Sequence, residues 1–90
     1  MTKMKLSKDE KTILIALYKD GYRYLARDEC GRLNAYTEMP LGKSHLVWYI
    51  DYYSDSIDLS YTKVLFPHIK WEEEEPTSIK ELLNANHNLE

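Results

Sequence analysis

The residues best suited to chemistry in this chain are three histidines, one cysteine and an unbroken run of four glutamates, Glu72, Glu73, Glu74 and Glu75. Clustered carboxylates suit hard cations such as Ca²⁺ or Mg²⁺. Successive positions on an extended chain point to opposite sides, however, and the alternating Asp/Asn spacing and glycine of a calcium loop are absent. A solvated acidic loop is the better reading. His45, His68 and His87 have no zinc-ligand spacing, and Cys30 belongs to no C-x-x-C pair. Arg27 and Arg32 flank Cys30 and would favour its thiolate, but Asp28 and Glu29 oppose them, and no histidine is near in sequence to act as a base. L-G-K-S lacks the upstream G-x-x-x-x of a phosphate loop, and G-x-S-x-G is absent. No carboxylate, histidine and serine present themselves as an acid–base set. The expectation is a protein without catalytic residues, metal or cofactor.

The aromatic residues suggest contact chemistry instead. Eight tyrosines and two tryptophans stand against a single phenylalanine. Rings with polar tips suit half-buried sheet faces or contact surfaces better than a dry interior. Tyr22, Tyr24, Tyr36 and Tyr49, together with Glu72–Glu75, are the candidate partner-binding residues. With Arg23 and Arg27 interleaved, such rings could stack single-stranded bases. The ribonucleoprotein signature and a basic excess are both missing, and strand alternation puts Arg23 and Arg27 opposite Tyr22 and Tyr24. The glutamates, joined by Asp51, Asp55 and Asp58, could alternatively imitate a nucleic-acid backbone, for which a net charge of −3 is modest.

A small domain must position these groups. Ninety residues, 43% of them apolar, support one core without disulfides. A lone cysteine makes no internal bridge, and no apolar run approaches the length of a membrane span or a secretory core, so a reduced, cytoplasmic protein is expected. Charge is uneven: residues 1–50 hold nine Lys/Arg and six Asp/Glu (+3), residues 51–90 three and nine (−6). That asymmetry could orient a partner or a second copy of the chain, or reflect only a basic helix and an acidic loop.

Ser7 and Glu10 form the S-x-x-E capping box of a first helix, whose apolar face is Ile13, Leu14, Ala16, Leu17 and Tyr18 and whose left-handed C′ residue is Gly21. Ile15 falls off that face. Residues 22–28 and 32–38 read as a hairpin turning at D-E-C-G, with L-G-K-S as a loop and a third strand over 45–52. Residues 59–66 suggest one or two helical turns stopped by Pro67, and 68–71 a short last strand. The second helix starts at Pro76 behind Glu75, or slightly later on Thr77 or Ser78. The fold class is therefore α+β, a three- to four-stranded mainly antiparallel sheet between two helices, with one domain over 1–83. Residues 84–90 are expected to be a disordered tail, and Leu89-Glu90 a cloning remnant. The expected core is Leu14, Leu17, Leu25, Leu33, Leu46, Trp48, Ile50, Leu65, Phe66, Ile69, Trp71, Ile79 and Leu82.

Two stretches, Y-L-A-R-D-E-C-G-R-L-N-A-Y-T-E-M-P and L-F-P-H-I-K-W-E-E-E-E-P-T-S-I-K-E-L-L, resemble short proteins encoded by phages and prophages of Gram-positive bacteria. The likeness covers most of residues 5–83 and is weakest over 41–61. It implies phage origin and action in the host cytoplasm, with no activity, cofactor or site to carry over. The functional expectation is an accessory protein that binds another protein or itself. Single-stranded nucleic-acid binding, or acidic mimicry against a host enzyme, is the alternative.

Overall fold

The computed structural model describes residues 5–59 and 65–86. Helix α1 (Lys8–Lys19) opens on the expected capping box: Ser7 accepts from the Glu10 amide, and the Glu10 side chain accepts from the Ser7 amide. It closes in a Schellman turn, with Gly21 N–H bonded to Tyr18 O and Tyr22 N–H to Leu17 O. Gly21 sits at φ 99°, where a side chain would be strained. The Arg23 guanidinium also donates to Tyr18 O and lies 3.9 Å from the Tyr18 ring centroid, placing positive charge at the helix C-terminus.

Strands β1 (Tyr24–Arg27) and β2 (Leu33–Tyr36) form the expected hairpin, with Leu25 opposite Ala35. Its turn is closed by Gly31 N–H to Asp28 O and Asp28 N–H to Arg32 O, and Gly31 takes φ 99°. The next strands, β3 (Gly42–Ser44) and β4 (Val47–Tyr49), form a separate two-stranded hairpin. Strand β5 (Ser56–Asp58) pairs with β2, and β6 (Thr77–Ser78) with β1, giving the antiparallel order β5-β2-β1-β6. Helix α2 (Ile79–Asn86) follows at once, its first turn capped by Ser78 Oγ accepting from Glu81 N–H. The fold is α+β, as expected.

Alternation along β1 and β2 divides the interior in two. Leu25, Leu33 and Ala35 face the helices and pack with Leu14, Leu17, Phe66, Ile69, Ile79 and Leu82. Ala26 and Tyr36 face the other way and pack with Trp48, joined by Tyr24, Ile50 and Trp71. The helices thus cover one face of the main sheet and the β3–β4 hairpin covers the other.

Four expectations are corrected. The single strand over 45–52 is instead the second half of a hairpin, and L-G-K-S supplies β3 rather than a loop. Leu46, placed in the core, stands at the hairpin turn and is 60% exposed. Residues 68–71 form no strand, because Phe66 takes φ 56° and two successive turns follow, Ile69 N–H to Phe66 O and Glu73 N–H to Lys70 O. The helix extends to Asn86, past the expected limit at Leu83, and Asn86 is buried. Asn86 Oδ1 accepts from Leu6 N–H and Nδ2 donates to Leu82 O, tying the segment before α1 to the last turn of α2. Most of the helical turn expected over 59–66, and the tail from 87, lie outside the described residues.

Candidate interaction surface

The surface is built on the β3–β4 hairpin, whose position is set by the turn of the first one. Asp28 is buried; its Oδ1 accepts from Trp48 N–H at 3.0 Å, and Glu29 N–H donates to Leu46 O. To make those bonds the tip must turn tightly, and His45 and Leu46 both adopt positive φ, 55° and 67°. The inward side of the hairpin carries Trp48, in edge contact with Trp71 at 6.4 Å. Lys43 Nζ donates to Trp71 O and lies 4.4 Å and 5.1 Å from the two indole centroids.

Register puts Gly42, Ser44, Val47 and Tyr49 on the outward side. The Tyr49 ring crosses Gly42 so closely that a Cβ there would meet it at 3.3 Å, so glycine lets the ring lie flat on the ribbon. Val47, Tyr49, Lys43, Ser44 and His45 line a shallow hollow of about 360 Å³. Ser44 Oγ is 2.9 Å from His45 Nδ1, but both are side chains of adjacent residues at an open surface, and no carboxylate among the described residues bonds the ring.

Beyond β4 the chain reverses at Asp51–Ser54, closed by Ser54 N–H to Asp51 O, with Asp51 Oδ1 accepting from Tyr53 N–H. This turn is pinned to the end of β2. Thr37 N–H donates to Asp55 O, Asp55 N–H to Thr37 Oγ1, and Glu38 N–H to the buried Ser54 hydroxyl. It presents Tyr52 and Tyr53, 92% and 83% exposed, as an edge-to-face pair 5.3 Å apart. Exposed Asp51 and Asp55 flank them.

Of the candidate residues named from the sequence, Tyr49 and Glu72–Glu75 are exposed. Tyr22 is half-buried against the main core, Tyr24 packs in the second, and Tyr36 is 3% exposed within it. Tyr36 is closed off from solvent, and Tyr22 and Tyr24, partly exposed, pack against different cores, so the three do not join Tyr49 on the outer face of the hairpin. Sequence reasoning missed Tyr52 and Tyr53. The signal was present in D-Y-Y-S-D, since two bulky rings on a tight turn between carboxylates cannot both turn inward.

A second hollow, about 240 Å³, separates the β1–β2 turn from residues 67–72. Arg27 lines it, but its guanidinium is engaged by the carbonyls of Gly31, Leu65, Phe66 and Ile69. Burial lowers its pKa. Among the described residues no three His, Cys, Asp or Glu converge as metal ligands, and no helix is long and apolar enough to cross a membrane.

No family model, curated protein or solved structure matches the chain.

Proposed function

We propose that this is a non-catalytic accessory protein that works by binding protein through the outer face of the β3–β4 hairpin and the tyrosine turn behind it. The observation that carries this is the distribution of exposed apolar bulk. Of nine large hydrophobic side chains exposed among the described residues, eight fall between Met39 and Ile57. Tyrosines held on a braced turn contribute contact area at little cost in side-chain entropy. Resemblance of the Y-L-A-R-D-E-C-G and L-F-P-H-I-K-W-E-E-E-E-P stretches to phage proteins supports a phage origin and a site of action in the host cytoplasm.

Affinity capture from a Gram-positive host lysate tests the reading, together with light scattering on the purified chain, each repeated on Tyr52→Ser/Tyr53→Ser. A bound protein or self-association that is lost in the variant, at unchanged melting temperature, is expected. A chain that stays monomeric and retains nothing would overturn the proposal. Nucleic-acid stacking draws no support from the fold, because the hairpin covers the sheet face that carries Tyr24 and Tyr36. Exposure of all four glutamates leaves acidic mimicry as a second reading, which predicts binding to a basic host enzyme that is lost when Glu72–Glu75 become glutamines.

A further inference from the structure

The ninth exposed apolar side chain lies elsewhere. Ile15, 45% exposed, is on the outer face of α1. Helical spacing sets Lys8, Thr12, Ile15 and Lys19 in one stripe (i, i+4, i+7, i+11), and all four are exposed, while Glu10, Leu14 and Leu17 point inward. Asp9 and Asp20 fall off the stripe. The outer face of α1 is thus an apolar centre bounded at each end by lysine. The tyrosine turn is the converse, an aromatic centre bounded by Asp51 and Asp55.

We infer that the partner fitting the tyrosine surface is a second copy of this chain, which docks the Lys8–Ile15–Lys19 stripe of its own α1 there. The inference rests on the tyrosine surface being an interface and names what fills it. Charge decides among the ways two copies can meet. Tyrosine surface against tyrosine surface would bring Asp51 and Asp55 onto their own counterparts, and α1 against α1 would do the same with lysines. Both symmetric pairings meet like charge, whereas the mixed pairing sets lysine ammonium groups beside aspartates and tyrosine rings.

Position rules out satisfaction within one molecule. α1 lies on one side of the main sheet and the hairpin on the other, so the contact joins neighbours head to tail. Each copy then keeps one open surface of each kind, and association continues to a ring or a short filament rather than stopping at a two-fold dimer.

Sedimentation velocity from micromolar to millimolar protein tests this with two single-surface variants, Ile15→Asp and Tyr52→Ser/Tyr53→Ser. All altered side chains are exposed, so melting temperatures should match the parent and certify folding. The parent should grow in mean mass with concentration and lose that growth in high salt. Each variant alone should associate about tenfold more weakly or worse. Mixed together, the two should form a one-to-one pair that grows no further, since one intact tyrosine surface then meets one intact helix. A parent monomeric at millimolar concentration, or a mixture that fails to pair, overturns the inference. If a host protein is still captured in a Tyr52- and Tyr53-dependent way, the broader interaction reading survives that failure.

Discussion

Three side chains hold the molecule's parts in place. Glu10 caps α1 with one carboxylate oxygen, and its other oxygen accepts from the Phe66 amide. Arg27 gathers four carbonyls, three of them 38 to 42 residues away, and Asp28 holds the second hairpin. Residues 24–28 and 65–69, far apart in sequence, are therefore bonded to each other, which gives A-R-D-E-C-G a structural meaning. Replacing Arg27 by methionine, which keeps the stem and removes the donors, should cost about 2–4 kcal/mol by leaving part-buried carbonyls unpaired. Urea denaturation will read it, and an unchanged midpoint would show the fan of bonds to be incidental. Tyr36 makes a pH prediction. Burial raises its phenol pKa above the ordinary 10.0, opposed by the Asn34 side chain and aided by the Asp28 charge. A raised folded-state pKa favours the neutral form, so that contribution is complete below pH 10.0 and disappears as pH climbs through the folded value. Tyr36→Phe should flatten the alkaline fall in stability seen in the parent; parallel pH curves would contradict it. The capping box was readable because its partners lie three residues apart. Arg27's role was not, because its partners are distant carbonyls with no side-chain signature.

At the level of elements, both helices and the first hairpin were legible from periodicity, capping and the glycine at the turn. The second hairpin was not. Its turn residues, His45 and Leu46, lack the Asn-Gly signal of a two-residue turn, and tertiary bonds from Glu29 and Asp28 impose the conformation. The unrecognised turn made an alternating run look like one strand and put Leu46 on its buried side. Replacing His45-Leu46 by Asn-Gly should stabilise the fold by about 1 kcal/mol, raising the melting temperature by roughly 4–8 °C. Scanning calorimetry showing no gain or a loss would mean that the two side chains contribute more than the strain they bear. The end of α2 was missed because an N-A-N-H-N tail has the composition of disorder, whereas Asn86 earns its burial through Leu6 and Leu82. Asn86→Ala should cost about 1–3 kcal/mol by orphaning the Leu6 amide. Chemical denaturation checks it, with an unaltered midpoint as the contrary result.

Across the whole molecule, α1, with Lys8 and Lys19 exposed, packs on one side of the main sheet, and the hairpin that leads into the Asp51- and Asp55-flanked tyrosines packs on the other, while the acidic run Glu72–Glu75 belongs to neither. The candidate surface was only partly legible. Tyr49 was named and is exposed, whereas Tyr22, Tyr24 and Tyr36 were absorbed into packing. Counting tyrosines could not separate the two roles, because each ring's direction depends on strand register and on what covers the sheet. The most direct test is a series of amide NMR spectra recorded as the protein is concentrated. Amides of residues 47–53 and of the exposed positions of α1 should shift together and progressively, while Leu25, Leu33 and Ile79 stay fixed. Spectra that do not change up to millimolar concentration, or shifts confined to one of the two surfaces, would contradict the account.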